Sequence, residues 1–263
     1  MKTEYKNWVP FGLLLALYIG FGASFIGTVV SLVVGIVTGK TAPYVFFSIC
    51  LMLALLCGTF AVQFTHMYRV YSYEGERKLM KAITEGVAGS VELKEGEKAL
   101  DIGTGSGAVA IALAKNNPQG EVVGLDRWGN RFLGYDKALC EENAKAENVA
   151  NVSFVQGDAQ KLPFEDESFD VVVSNYAFHT IPGQERQAHL LEALRVLKKG
   201  GRFAIHDTFS KMRFGEMDEF LAKLKEMGFE NVEFVDTASG LFMAKEEAAC
   251  LFLSESKLLK GTK

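Results

Sequence analysis

The stretch ALDIGTGSG, residues 99–107, joins a short apolar run to three glycines spaced two residues apart. It leads into AVAIALAKNN, residues 108–117, whose apolar periodicity is typical of a helix. Glycines at such a strand-to-helix turn permit positive φ angles and close backbone approach, and the helix N-terminus favours a polar or anionic ligand group. The motif alone is weak evidence for any one ligand, because Gly103-x-Gly105-x-x-Ala108 also fits the loose dinucleotide-binding fingerprint.

Short apolar runs alternate with amphipathic segments from about Tyr73 to the C-terminus. This alternation indicates parallel strands joined by right-handed crossover helices that cover both faces of one sheet. We therefore predict an α/β fold with a doubly wound, mainly parallel seven-stranded sheet. The predicted strands are KALDI, EVVGLD, NVSFVQ, FDVVVSN, RFAIHD, NVEFVD and CLFLSE. The last two are expected to form a hairpin-like edge, because TASGLFMAKEEAA between them is too short for a full helical crossover.

The N-terminal part of the chain has a different composition. Its charged residues up to Val70 are Lys2, Glu4, Lys6, Lys40 and Arg69. The net charge of this part is +3. Since the formal net charge of the whole chain is −4, the rest of the chain carries −7. Two uncharged apolar runs, about 9–37 and 43–65, can each cross a hydrocarbon core of roughly 30 Å at about 1.5 Å per residue. We predict a transmembrane helical hairpin at residues 1–70 and a soluble domain at residues 71–263.

Lysine and arginine are more frequent around the two ends of this hairpin than in its link, so both ends are expected in the cytoplasm. A cleaved signal peptide is disfavoured, because its apolar region spans only about 7 to 15 residues. Basic residues after the second run could contact anionic lipid headgroups, although a solvated helix face explains Arg77 to Lys81 equally well. They are Arg69, Arg77, Lys78 and Lys81.

One face of the first apolar run carries a stripe of small residues, which lets another helix approach closely. The stripe consists of Gly20, Ala23, Gly27, Ser31 and Gly35. Its partner could be the second run or another subunit, so the sequence leaves a homo-oligomer open.

Charge and cysteine content disfavour two classes of function. The soluble part is acidic and has no basic stripe, which argues against nucleic acid as a partner. The four cysteines form no C-x-x-C pair, and no metal site is expected.

A second motif, Gly124-Leu125-Asp126, ends the next predicted strand with an acidic residue. Such a carboxylate accepts hydrogen bonds from the vicinal hydroxyls of a ribose, which both NAD and S-adenosylmethionine carry. Asp101 favours the second cofactor, because a carboxylate near the glycines would repel a pyrophosphate and attract a cationic amino-acid group. A nicotinamide oxidoreductase therefore remains the less favoured alternative.

Five ordered motifs together carry a family resemblance. They are ALDIGTGSG, VVGLD, Gly157-Asp158-Ala159, FDVVVSNYAFHTI and VLKKGGRF. The set resembles the class I S-adenosylmethionine-dependent methyltransferases, most of all the group that includes the quinone-biosynthesis C-methyltransferases. The resemblance covers about Glu74 to the C-terminus and implies a Rossmann-like domain with S-adenosyl-L-methionine as cofactor. The hairpin is an addition that the common soluble members lack.

Carried over position by position, the resemblance implies a cofactor site spread over several strand ends. Asp101, Gly103 and Gly105 would hold the methionine portion, with Thr104 in the same loop and Gly107 packing that loop against its helix.

The remaining cofactor contacts implied by the resemblance come from the following strands. Asp126 would hold the ribose, with Arg127 and Trp128 beside it. Asp158 would meet the adenine amine, and Ala159 would contact the ring through its backbone. Asn175 would line the space between the sulfonium and the acceptor.

Methyl transfer needs alignment above all, but a base helps when the acceptor carries a proton, as a phenol, thiol or amine does. The resemblance places Tyr176, Phe178 and His179 beside the acceptor. The candidates for catalysis are Tyr176, His179 and His206, the last as part of a His206-Asp207 pair. SNYAF stands where an N-P-P-Y-like tetrapeptide would indicate nitrogen methylation, which favours a carbon, oxygen or sulfur acceptor.

These features predict a membrane-anchored methyltransferase that acts on a small or lipophilic acceptor at the cytoplasmic membrane face. Tethering would raise the effective concentration of a membrane-partitioned substrate at the site. A non-catalytic membrane module that binds S-adenosylmethionine is the second hypothesis.

Overall fold

The computed structural model describes residues 2–129, 134–183 and 185–263, which form two compact units. Residues 7–80 form one, here called the helical unit. The other, here called the sheet unit, combines the N-terminal residues up to Lys6 with residues 81–263. The sequence assigns the first six residues to the hairpin, whereas their contacts place them with the sheet unit.

The helical unit consists mainly of two long helices, α1 (Phe11–Thr38) and α2 (Thr41–Tyr71). Gly39 ends α1 with a φ of 63°, and its N–H donates to the Gly35 carbonyl at 2.9 Å. This left-handed cap satisfies a carbonyl at the helix end and suits a residue without Cβ.

Small residues of α1 face α2. A Cβ added to Gly20 or Gly27 would meet the sulfur of Cys57 or Cys50, respectively, and one added to Gly35 would meet the Tyr44 ring. The small-residue stripe therefore packs on the second helix of the same chain.

Both helices are long and apolar enough to cross a membrane. In the apolar stretch of each helix, only 11% of the residues of α1 and 17% of those of α2 are buried. Most of the apolar surface of these two helices is therefore exposed, whereas a core helix of a soluble protein is mostly buried.

The sheet unit is built on seven strands among the described residues. They are β1 (Lys98–Ile102), β2 (Glu121–Asp126), β3 (Val152–Gln156), β4 (Phe169–Asn175), β5 (Leu197–Thr208), β6 (Glu230–Asp236) and β7 (Ser256–Thr262). Their order across the sheet is β3-β2-β1-β4-β5-β7-β6. The first five run parallel, and β7 lies antiparallel between β5 and β6. The predicted fold class is confirmed, and β6 forms an antiparallel pair at the edge, although its partner is not the predicted CLFLSE.

One helix of the sheet unit precedes β1 and the others follow β1, β2, β4, β5 and β6, whereas the described chain between β3 and β4 has none. The helices are α3 (Leu79–Gly89), α4 (Ala108–Asn116), α5 (Lys137–Ala146), α6 (Arg186–Arg195), α7 (Lys211–Phe214), α8 (Met217–Glu226) and α9 (Lys245–Cys250), with a 3-10 turn at Phe178–Thr180. The pattern NRFLGYDKALCEENAKAEN, residues 130–148, predicts a helix that begins at residue 130, but residues 130–133 lie outside the described part of the chain. The described helix begins after Asp136, whose carboxylate accepts the Leu139 N–H at 2.8 Å as an N-cap.

The predicted last strand, CLFLSE, is wrong. Cys250 ends α9, Phe252 has a φ of 59°, and the Leu253 N–H donates to the Ala248 carbonyl, so this segment closes a helix. The strand follows it as SKLLKGT. Leu251 and Leu253 are buried at the helix end, which produced the apolar pattern that resembles a strand.

The central strands are apolar on both faces because helices cover the sheet on both sides. Leu100, Val172, Phe203 and Ile205 are at most 1% exposed and belong to one core. Polar residues are consequently concentrated where the strands end.

Candidate active site

The carboxyl ends of β1, β2, β4 and β5 lie side by side. Ile102 pairs with Leu125 on one side and with Ser174 on the other, and Asn175 pairs with His206. The strand order reverses at β1, with β2 on one side and β4 on the other. A ligand crevice is expected there in a doubly wound sheet.

The glycine turn, residues 103–107, crosses this edge between β1 and α4. The N–H groups of Gly103 and Thr104 both donate to the Leu125 carbonyl, at 2.8 and 3.1 Å. Gly103 has a φ of 76°, and a Cβ there would overlap that of Ala177 after β4. Only glycine fits this position, so the turn lies directly against the end of β4.

Asp126 at the end of β2 holds the next glycine of the turn. Its Oδ2 accepts the Gly105 N–H at 2.8 Å, and its Oδ1 accepts the Trp128 N–H at 2.9 Å. Trp128, with a φ of 42°, returns its indole N–H to the Gly105 carbonyl at 3.0 Å. Each carboxylate oxygen keeps a further lone pair, which can accept a hydroxyl.

Asp101 lies beneath the turn and is 1% exposed. Its Oδ2 accepts the Thr104 hydroxyl at 2.6 Å and the Ala110 N–H at 3.1 Å. Burial raises the pKa of this carboxyl to about 7, although these two hydrogen bonds oppose the rise. Asp101 therefore joins the turn to α4, and its direct contact with a cofactor stays a prediction.

The residues predicted around the adenine lie beside β2 and β3. Gly157 donates its N–H to the Asp126 carbonyl at 3.0 Å, which brings the two strand ends together. The Arg127 guanidinium lies 3.9 Å from the Asp158 carboxylate, and both side chains are exposed. Ala159 packs against the core. An exposed pair at this distance contributes little stability, so both side chains can reorient toward a ligand.

Tyr176 follows β4 with a φ of 51°. Its N–H donates to the His206 carbonyl at 2.8 Å, and its hydroxyl lies 2.7 Å from that of Ser256. The ring centroid is 4.6 Å from that of His206 and 6.2 Å from that of His179. The structure thus brings the three predicted catalytic residues together.

Asp207 pairs with His179, not with its neighbour His206. Its Oδ1 lies 2.6 Å from His179 Nδ1, and its Oδ2 accepts the His179 backbone N–H at 3.1 Å. Asp207 is fully buried, whereas the His179 side chain is 25% exposed. An ionised carboxylate only accepts, so it selects the Nδ1–H tautomer and leaves the lone pair on Nε2. A base held by an orienting carboxylate is a common catalytic arrangement.

His206 is fully buried and has both ring nitrogens engaged. Nδ1 lies 2.8 Å from Asn175 Oδ1, and Nε2 lies 2.8 Å from the Thr237 hydroxyl. Burial lowers its pKa to about 4, against the opposing influence of Asp207. A neutral, enclosed imidazole orients Asn175 and is a poorer candidate for proton exchange with an acceptor than His179.

The sequence did not single out Thr237, Ser256 and Tyr135. Ser256 begins the strand that the sequence misplaced, and Thr237 follows β6 and donates its N–H to the Ser256 carbonyl at 3.2 Å. A Cβ on Gly105 would lie 3.5 Å from the Tyr135 ring, which therefore packs against the glycine turn. Burial, together with the charge of Asp126, raises the Tyr135 pKa. No short sequence pattern signals this contact.

Cys140 also touches the turn, since its thiol donates to the Gly105 carbonyl at 3.2 Å. Burial and the surrounding carboxylates, Asp126 first among them, raise its pKa. A protonated thiol is a poor nucleophile, so Cys140 serves packing here.

The buried state of His206 can be tested by nuclear magnetic resonance. We expect its ring signals to stay constant from pH 8 to about 5 and to titrate only near pH 4. The unfolded chain binds this proton at higher pH, so the sheet unit loses stability as the pH falls from about 6.5 toward 4. The ring signals of His206 are identified as those that are missing from the spectrum of His206→Asn. A His206 midpoint close to the ordinary value of about 6.5 contradicts the buried, neutral assignment.

The groups at this edge fit S-adenosylmethionine. Gly103, Gly105 and Gly107 all have positive φ and no side chain, so the turn can present its backbone to a ligand at close range. The Asp126 carboxylate can accept hydrogen bonds from ribose hydroxyls, and Asn175 carries its amide at the end of β4 on the same edge of the sheet. These donors and acceptors suit a ribose joined to a charged amino acid.

Comparisons with known proteins agree. Residues 93–254 match the family model described as a methyltransferase domain. A demethylmenaquinone methyltransferase of Staphylococcus carnosus (strain TM300) is 30% identical over 203 residues, 73% of this chain and 79% of that protein. One of Geobacillus kaustophilus (strain HTA426) is 30% identical over 179 residues, 64% and 74% of the two chains. The crystal structure of the cyclase SpnF has a TM-score of 0.54 at 20% identity, covering 70% of this chain and 80% of that one, which shows the fold alone.

The family model spans more than half of the chain, and the Staphylococcus relative is matched over more than two thirds of its length. The sheet order and the glycine turn beside Asp126 agree with these matches. The chain belongs to the class I S-adenosylmethionine-dependent methyltransferases.

Proposed function

We propose that this enzyme is anchored in a membrane and methylates a lipophilic, quinone-type acceptor at the cytoplasmic face. The observation that carries the proposal is the joining of a methyltransferase unit to two exposed helices of membrane-spanning length in one chain. The relatives named demethylmenaquinone methyltransferases point to the acceptor class. Basic residues flanking the hairpin support the cytoplasmic side.

The chain's own residues would hold the cofactor along the strand ends. The glycine turn would receive the methionine portion, Asp126 the ribose hydroxyls, and Arg127, Asp158 and Ala159 the adenine. Bound S-adenosylmethionine supplies an electrophilic methyl group on a positively charged sulfur. Asn175, oriented by His206, would face the reacting end.

The His179–Asp207 pair supplies the base that a hydroquinone acceptor needs. Nε2 of His179 takes the proton of a phenolic hydroxyl, and Asp207 stabilises the imidazolium that forms. The electron pair left on oxygen makes the neighbouring ring carbon nucleophilic. That carbon would bond to the methyl group as the methyl–sulfur bond breaks with its electron pair left on sulfur. The ring carbon would then lose its hydrogen as a proton, and the phenolate oxygen would recover the proton held by His179, so each transfer releases one net proton.

Backbone contacts fix His179 in place. Arg213 Nη1 donates to the His179 carbonyl at 2.9 Å, and the buried Asp207 holds both the backbone N–H and the ring. Tyr176, kept in a left-handed conformation, lies on the same side and would border the acceptor. A backbone held in a sparsely populated region is a feature of functional sites.

Binding of the cofactor is tested with Asp126→Ala in the full-length protein in detergent. Loss of a charged acceptor for two ribose hydroxyls is expected to weaken the Kd for S-adenosylhomocysteine by about 10- to 100-fold. Isothermal titration calorimetry measures it. Glu121→Ala is the matched control, since Glu121 begins the same strand and forms only an exposed pair with Lys98 at 3.1 Å. An unchanged Kd in Asp126→Ala, with the control normal, contradicts the assigned site.

The base is tested with His179→Ala and a reduced demethylmenaquinone analogue. We expect kcat to fall by about 100-fold or more while the S-adenosylhomocysteine Kd stays constant. The remaining rate should rise with pH up to about 10, because ionisation of the phenol itself replaces the lost base. His189→Ala on α6 is the control. Full activity in His179→Ala, or a residual rate independent of pH, contradicts the role of His179.

A further inference from the structure

The N-terminal residues 4–6, here called the N-terminal latch, pack against α5. The Glu4 N–H donates to Asn143 Oδ1 at 2.7 Å, and Asn143 Nδ2 donates to the Glu4 carbonyl at 3.2 Å. One buried amide side chain therefore binds both backbone groups of Glu4. Tyr5 is 9% exposed, and its hydroxyl donates to Glu147 Oε1 at 2.7 Å.

Glu147 is a charged anchor for the latch. Its carboxylate also pairs with Lys115 of α4. Burial would raise the pKa of Glu147, but the hydrogen bonds from Lys115 and Tyr5 bring it below its usual value. A hydrogen bond to a charged group is among the stronger ones in proteins, so Tyr5 holds the latch firmly.

The latch also binds the residues just before α5. Lys6 Nζ donates to the Gly134 carbonyl at 2.9 Å, and the Tyr135 hydroxyl lies 3.4 Å from the Lys6 carbonyl. Latch residues thus contact both α5 and the described segment that leads into it.

Two of the residues that bind the latch, Asn143 and Tyr135, also contact the glycine turn. Asn143, which is 2% exposed, donates its amide to the Ser106 carbonyl at 3.0 Å in addition to binding Glu4. The Tyr135 ring packs against Gly105, as described above. Two side chains therefore connect latch and turn without any intervening residue.

We propose that Asn143 and Tyr135 are positioning residues through which the N-terminal latch and the cofactor site are energetically coupled. A docked latch stabilises the turn in its cofactor-binding conformation, and a bound cofactor stabilises the docked latch, because such coupling is reciprocal. The inference rests on the proposed cofactor site at the glycine turn. Residues 7–10 alone separate the latch from α1, so the membrane anchor is joined to this coupling by a short stretch of chain.

The first test is Glu4→Pro in the full-length protein, because proline lacks the N–H that Asn143 accepts. We expect the Kd for S-adenosylhomocysteine to weaken by about fivefold or more. Glu4→Ala retains both backbone groups and loses only an exposed side chain, so its Kd should stay within about twofold of wild type. A wild-type Kd in Glu4→Pro, or equal losses in both variants, overturns the proposal.

The second measurement needs no variant and separates coupling from a general loss of fold. Hydrogen exchange of the N-terminal peptide is compared in the wild-type protein with and without S-adenosylhomocysteine. We expect the ligand to slow exchange of the Glu4 amide by about the same factor by which Glu4→Pro raises the Kd for S-adenosylhomocysteine, because the coupling is reciprocal. If the ligand slows exchange at the glycine turn but not at the Glu4 amide, the coupling is overturned and the cofactor site stands. No binding by the wild type overturns the proposed cofactor site together with the coupling.

Discussion

The site depends on how closely the glycine turn approaches the ends of its neighbouring strands. Leu125 accepts two N–H groups of the turn, Asp126 accepts a third, and Gly103 meets Ala177 so closely that no side chain fits. These contacts fix the turn at the point where the strand order reverses. The Asp126 carboxylate, the amide of Asn175 and the His179–Asp207 pair therefore lie along one edge of the sheet.

Alternation along β5 gives two adjacent residues different roles. Consecutive side chains of a strand point to opposite faces, so His206 and Asp207 cannot act as a pair. His206 enters a buried network with Asn175 and Thr237 and stays neutral, whereas Asp207 orients the partly exposed His179. A buried, satisfied network makes the geometry around Asn175 rigid.

The sequence predicts β1, β2 and β4 closely because each is a nearly continuous apolar run between turn residues, whereas β5 begins at Leu197, five residues before the predicted RFAIHD. It fails at β7, since SKLLKGT carries two lysines and a glycine while the helix end before it is more apolar. The alternation rule alone would have separated His206 from Asp207. The pairing of Asp207 with His179, and of Asn143 with Glu4, depends on residues distant in the chain and has no local signal.

A single assay in membrane vesicles tests both membrane attachment and methyl transfer. Sealed inverted and right-side-out vesicles are prepared from bacteria that make this protein and lack their own quinone methylation. S-adenosylmethionine with a tritiated methyl group is supplied outside, with a reductant to keep demethylmenaquinone in its hydroquinone form. We expect label in the lipid-soluble quinone fraction of inverted vesicles only, because the charged cofactor does not cross the membrane. Label in right-side-out vesicles only, or in neither preparation, would contradict a methyltransferase that acts on a lipophilic acceptor at the cytoplasmic face.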